Sequence, residues 1–172
     1  LSFGGPYLGF MATTDKLVRK LPGRIVGRTT DDSGNTAYVL TLQAREQHIR
    51  REKASSNICS NQAHCALTVS VYISAMGASG LSEVASQCLS KAAYAKSGIT
   101  ALNGFESVYP HNTFHEFVTK TPIESVKLCE ILAGRGILGG LPLSPDQILW
   151  CVTEMNTKAQ IDSLISALKE VA

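Results

Sequence analysis

The most regular hydrophobic pattern in the chain begins at Leu81, where apolar residues fall at Leu81, Val84, Ala85, Cys88, Leu89 and Ala92. Steps of three and four lay one stripe along a helix, and Gly98 is its expected stop. Immediately upstream, SSNICSNQAHCALTVSVYISAMG is apolar on most sides through Ile58, Cys59, Ala63, Cys65, Leu67, Val69, Val71 and Ile73. A helix apolar all round is expected to be buried, here capped by Ser55, Ser56 or Asn57 and ended by Gly77. Downstream the elements shorten: ITALN and TFHEFVT read as strands. Thr121, Pro122 and Glu124 then carry the signature of a capping box, opening a helix that Gly134 and Gly136 close. A brief GILGG strand, the loop GLPLSPDQ and the strand QILWCVTE follow. The last helix is capped through Thr157 and Gln160 and presents Ile161, Leu164, Ile165 and Leu168 on one face. This order predicts a small α/β sandwich with helices on one face of a mainly antiparallel sheet.

The first 40 residues read differently. They are turn-rich, with GGP at Gly4 to Pro6, a short helical pattern at Asp15 to Lys20, PGR at Pro22 to Arg24 and DDSGN at Asp31 to Asn35, before the strand-like TAYVLTL. No core of their own is expected. QAREQHIRREK then reads as a helix polar almost all round, helped by Glu46 four residues before Arg50. The opening LSFGGPYLGF, with three glycines and no charge, resembles the inside of a domain more than its frayed edge. The expectation is a piece of a longer protein.

Composition bounds the function classes. With 172 residues, 44% hydrophobic and 17% charged, the chain suffices for one core, or one small domain plus part of another. No uninterrupted apolar run approaches the roughly 18 residues of a membrane span, and no signal-peptide pattern opens the chain, so no membrane partner is expected. Cys59, Cys65, Cys88, Cys129 and Cys151 are odd in number and sit among apolar neighbours, which predicts reduced core thiols in a cytoplasmic protein. His64 lies beside Cys65, but adjacent helical residues point about 100° apart, which argues against a catalytic pair. His48, His64, His111 and His115 lack zinc-site spacing, so no metal is expected. GRGILG at Gly134 to Gly139 matches a dinucleotide fingerprint but follows a helix instead of a strand, and reads as a helix stop.

Charge is uneven. Residues 16 to 53 hold nine Lys/Arg against four Asp/Glu, while the remainder carries seven against ten. The cluster Arg45, His48, Arg50, Arg51 and Lys53 is open to three readings: a solvated helix face, an anion site or a nucleic-acid patch. Tyr38 alone offers a nearby aromatic face, which disfavours nucleic acid as a partner. On composition the solvated face comes first, and arginines held rigidly next to a buried helix add weight to an anion site that clamps a carboxylate or phosphate.

The run TLQAREQHIRREKASSNICSNQA, Thr41 to Ala63, is more specific than any of these signals. It resembles the glycine decarboxylase family, the P-protein of the glycine cleavage system, and within it the half without the cofactor lysine that many bacteria make as a separate subunit 1. SFGGPYLGFMA, LPGRIVGRT, FHEFV, GILGG and CVTE extend the likeness over nearly the whole chain. The resemblance implies a pyridoxal-phosphate enzyme of the aspartate-aminotransferase fold type that decarboxylates glycine and passes an aminomethyl group to the lipoyl arm of the H-protein. The Schiff-base lysine of the family lies in an HKT motif of the other half, subunit 2, and no HKT occurs here. The catalytic lysine is therefore expected in the partner of a heterodimer, and no cofactor covalently on this chain. Residues 1 to 55 are implied to be the tail of the large domain with a connecting segment, and 56 to 172 the linking helix and small C-terminal α/β domain. Arg24, Arg45, His48, Arg50 and Arg51 are the implied substrate or interface residues, and Gly4, Gly5 and Pro6 the implied cleft turn. The fragment is not expected to be active alone; a purely structural partner subunit is the alternative.

Overall fold

In the computed structural model, which describes residues 7–54 and 61–172, the chain divides into two units, Tyr7–Leu67 and Thr68–Ala172. The first is built around an antiparallel hairpin of β1 (Ile25–Thr30) and β2 (Thr36–Thr41), paired from Ile25↔Thr41 to Thr30↔Thr36. Its turn is the expected DDSGN. The Asp31 carboxylate accepts from the backbone N–H groups of Ser33 at 2.9 Å and Asn35 at 2.8 Å. These bonds, that from the Asn35 N–H foremost, hold the Asp31 carboxyl below the usual carboxylate range. IVGRTT, to which the sequence reading assigns no element, is the strand that pairs with TAYVLTL, and neither strand has a buried residue.

QAREQHIRREK does not form one helix. It folds as a 3-10 turn Gln43–Arg45, a single turn α1 (Gln47–Arg50) and a second 3-10 turn Arg51–Lys53. Left-handed backbone at Leu42 (φ 54°) and a positive φ of 53° at Arg51 bracket the segment and stop propagation. With so few turns and no apolar stripe, the Glu46–Arg50 spacing has too little helix to stabilise.

The long helical run α2 (Ala63–Thr100) is broken at Gly77, whose φ of 64° and ψ of −178° only glycine adopts readily. Its first half is a correction to the sequence reading. Leu67 and Val71 are 62% and 61% exposed, and Ile73 is exposed too, so nothing among the described residues buries these side chains. Among the described residues α2 is also the helix long and apolar enough to cross a membrane by length and composition, although polar residues interrupt its apolar run. The expected caps at Ser55, Ser56 and Asn57 lie outside the described residues. In the second half the buried stripe is Cys88, Ala92, Ala95 and Ile99, whereas Leu81 and Leu89 face outward. Gly98 is no stop: the helix continues to Thr100, which also absorbs the start of the expected ITALN strand. A Cβ at Gly98 would lie 2.3 Å from Ile165 Cδ1, so the glycine permits close helix packing.

The second unit holds a three-stranded antiparallel sheet in the order β3 (Glu116–Lys120), β5 (Gln147–Cys151), β4 (Leu141–Ser144). GLPLSPDQ, read as a loop, supplies β4 and its hairpin turn, and the strand expected at GILGG lies a few residues later than predicted. Phe117, Thr119, Ile148 and Trp150 point to one face, where they share a core with Ile99 of α2, Leu128 and Leu132 of α3 (Ser125–Gly134), and Ile161 and Leu168 of α4 (Lys158–Lys169). Inside it, Trp150 Nε1 donates to Thr119 Oγ1 at 2.9 Å, so the buried indole N–H is satisfied. α3 starts without the predicted capping box: Thr121 Oγ1 donates to the Ile123 carbonyl, and Ser125 Oγ to that of Ser144. It ends as predicted, with Ile137 N–H donating to Leu132 O and Gly136 N–H to Ala133 O, the paired bonds of a glycine-terminated helix. α4 has the expected box, Thr157 and Gln160 bonding reciprocally at 2.8 and 3.2 Å.

Cys88 is buried and Cys129 half-buried, but Cys65 and Cys151 are exposed; these four are free thiols, and Cys59 lies outside the described residues. Burial pushes the Cys88 thiol up, against the smaller lowering effect of the Glu154 backbone N–H that donates to Sγ at 3.3 Å.

Candidate functional site

In the first unit, the turn at Pro22 to Arg24 meets the end of β2 and the broken segment after it. Arg45 fixes that meeting. It is 8% exposed, and its two terminal nitrogens donate to the carbonyls of Leu21 and Gly23, on either side of the turn. A guanidinium offers a rigid planar fork, so two bonds to one turn set the direction in which the following residue, Arg24, leaves the backbone. Arg45 is thus a positioning residue with its charged end directed into backbone.

Arg24 and His48, two of the residues singled out in the sequence, line one cavity of about 290 Å³ together with Leu40, Thr41, Gln43 and Glu46. Arg24 arrives from the PGR turn, Leu40 and Thr41 from the end of β2, and Glu46 and His48 from α1 and the residue before it. Gln43 is anchored through its side-chain amide, which donates to the Leu40 carbonyl at 3.3 Å. Neither Arg24 nor His48 has a hydrogen-bonded or ion-paired partner among the described residues, so both remain available to a ligand.

Glu46 is the member that sequence reasoning treated only as a helix-pair residue. Its side chain is 12% exposed, and Oε1 is buried without a hydrogen-bond partner, 3.9 Å from Arg45 Nη2. Among the described residues, this oxygen and Arg45 Nε are the buried side-chain polar atoms left unsatisfied. Leaving such an atom without a hydrogen bond costs about 1–3 kcal/mol, offset in part by the Arg45 charge, and a donor entering the cavity would supply the missing bond. No linear signal separates Glu46 from an ordinary solvated glutamate.

The remaining predicted residues do not join this cavity. Arg50 is exposed, its Nε donating to the Ala44 carbonyl at 3.1 Å. Arg51 is exposed as well, with φ 53° and ψ −124°, a backbone region that costs a side-chain-bearing residue about 1–3 kcal/mol. Arg51→Gly is therefore expected to raise the stability of the chain by about 1 kcal/mol in urea unfolding; a loss of stability would show that the side chain offsets the strain. Gly4, Gly5 and Pro6 lie outside the described residues.

Chemically, the cavity pairs the Arg24 guanidinium and the His48 imidazole with one buried carboxylate acceptor. That set suits a small ligand with an anionic group and a donor, and no lysine stands in the lining. This cavity therefore offers no amine for a covalent bond to a pyridoxal group.

Comparison with known proteins shows the family. The family profile described as Glycine cleavage system P-protein matches residues 1–168. The chain is 52% identical to the probable glycine dehydrogenase (decarboxylating) subunit 1 of Moorella thermoacetica and 50% identical to that of Desulfitobacterium hafniense, each over 99% of this chain and 40% of the relative. It therefore spans about two fifths of the length of the curated relatives it matches. A crystal structure of glycine decarboxylase (P-protein) of the glycine cleavage system, in inhibitor-bound form, superposes with a TM-score of 0.87 at 37% identity, covering 94% of this chain and 38% of that one. A sphingosine-1-phosphate lyase of Burkholderia pseudomallei, at 16% identity and a TM-score of 0.54 over 84% of this chain and 30% of that one, shares the fold alone.

Proposed function

Because the chain belongs to the glycine cleavage system P-protein family, within which it matches subunit 1, we propose that its first unit completes the cleft of a glycine-decarboxylating enzyme whose cofactor-bearing half is a second subunit. The observation that carries this reading is the cavity of Arg24, His48 and the Glu46 oxygen that lacks a hydrogen bond, where the LPGRIVGRT stretch meets the start of the 23-residue family run. Pyridoxal phosphate, bound mainly by subunit 2, supplies the electron sink for decarboxylation. This chain's residues attract and orient. Arg24 presents its guanidinium charge and His48 an imidazole N–H to the glycine carboxylate, Glu46 offers an acceptor to a donor group on the ligand, and Arg45 holds the turn in place. Arg50 and Arg51, exposed on the same segment, extend the positive rim toward the lipoylated H-protein that receives the aminomethyl group.

The exposed apolar side of α2 has a corresponding reading. Leu67, Val71 and Ile73 are covered by the parts of the longer protein or by subunit 2, in a cytoplasmic enzyme whose thiols stay reduced, and not by a membrane. Domain boundaries follow the same logic: residues 1 to 55 are the tail of a large domain, and 56 to 172 the linking helix and small domain.

In the complete complex, His48→Ala and Arg50→Ala are expected to leave subunit assembly intact and to lower glycine-dependent carbon dioxide exchange with the H-protein. Unchanged exchange in both variants would leave this half a purely architectural partner, the role in which Arg45 already serves.

A further inference from the structure

The outer face of the β3–β5–β4 sheet carries a grouping unrelated to the cavity above. Val152 N–H donates to the His115 carbonyl at 2.8 Å, which makes His115 and Val152 a hydrogen-bonded pair at the end of β3 and β5. The next pair, Glu116 and Cys151, is then a non-hydrogen-bonded one, the kind in which opposed side chains stand closest. His115 sits in the bend before β3, its ring packed edge-on against Phe114 with centroids 4.8 Å apart. One imidazole nitrogen of His115, one Glu116 carboxylate oxygen and Cys151 Sγ consequently lie within 4.8 Å of one another. Glu116 and Cys151 are exposed and His115 is half-buried, so the grouping is open to solvent. No hydrogen bond or ion pair engages these three side chains among the described residues.

We propose that His115, Glu116 and Cys151 form a binding site for a zinc-class divalent transition-metal ion, with the fourth position left to water or a small ligand. The donor set selects the metal: a thiolate and an imidazole suit zinc, cobalt or nickel, whereas magnesium and calcium take oxygen ligands. The geometry is within reach. Zinc–ligand bonds of about 2.0–2.3 Å in a tetrahedron separate ligand atoms by about 3.3–3.6 Å, so the three side chains need to close by about 1 Å. Exposed Glu116 and Cys151 can do so by rotation about their own side-chain bonds. On binding, the sulfur–metal bond replaces the S–H bond and the thiol proton passes to solvent. Glu116 and Cys151 also line an open cleft of about 690 Å³ with Val126, Leu138 and Leu141, which leaves room for the fourth ligand. Linear spacing hides the site because its cysteine comes from a strand distant in sequence, and only the register of β3 against β5 brings it to the His-Glu pair.

Anaerobic titration of the 172-residue chain with Co²⁺ tests the proposal. One equivalent is expected to give thiolate-to-cobalt charge-transfer absorption with the visible bands of tetrahedral cobalt, and Zn²⁺ is expected to bleach both. Cys151→Ser should abolish the charge-transfer absorption, and His115→Gln or Glu116→Gln should weaken affinity by about tenfold or more. Cys65→Ser and Cys129→Ser should change nothing, and circular dichroism of every variant should match the parent. Zn²⁺ should also raise the melting midpoint of the parent but not that of Cys151→Ser. The proposal is overturned if folded parent chain shows no charge-transfer band, if the band survives Cys151→Ser, or if Cys65→Ser removes it.

Discussion

Arg24→Ala in the assembled two-subunit enzyme is expected to lower kcat/KM for glycine by about 10- to 100-fold, the consequence of losing one charge-assisted contact worth about 1.5–3 kcal/mol. Arg24 has no partner within the described residues, so the loss should come without a change in folding or assembly. Arg24→Lys should recover only part of the activity, since a point charge does not reproduce a two-pronged guanidinium contact. Arg45→Ala makes the informative contrast. It removes both bonds to the Leu21 and Gly23 carbonyls, so activity and stability should fall together. Steady-state kinetics beside thermal melts of the two variants separates a ligand-facing arginine from a positioning one. Equal stability losses in both would remove Arg24 from the cleft.

Leu128→Ala is expected to destabilise the second unit by about 2–5 kcal/mol, because Leu128 has no exposed surface and shares its core with Phe117, Ile148 and Trp150. For a chain of this length that corresponds to a fall of about 5–15 °C in the melting midpoint. Val126→Ala, two residues away on the same helix but largely exposed, should change stability by no more than about 0.5 kcal/mol. Calorimetry or urea titration of the pair checks the assignment of faces on α3. Similar losses for both would mean that α3 does not seal the core through Leu128.

Those two experiments probe parts of the molecule that differ in how legible they were. The elements of the second unit that were read correctly have local signals: the Thr157 and Gln160 box and the glycine-terminated end of α3 act within one turn, and the apolar content of FHEFV and QILWC within one strand. Where local signals competed with tertiary contacts, the tertiary contacts prevailed. Gly98 looked like a helix stop but serves helix packing, and Thr121, Pro122 and Glu124 had the composition of a cap whose hydroxyl bonds Ile123 instead. The buried stripe of α2 moved to Cys88, Ala92, Ala95 and Ile99 because the position of the sheet, not periodicity, selects which side of a mixed helix is covered.

At the candidate site, the sequence by itself determined the family, the charge of the Arg24-to-Lys53 region and the residue types able to meet a carboxylate. It also determined the turns, since Gly23, Asp31 and Gly34 act through their own backbone preferences. The tertiary structure decided which charges work together. It folded Arg45 inward onto two carbonyls, set Arg24 beside His48, buried the Glu46 oxygen and aligned Cys151 with Glu116. Burial and strand register depend on segments far apart in the chain, so no local pattern encodes them, and the chemistry of both sites resides in those pairings.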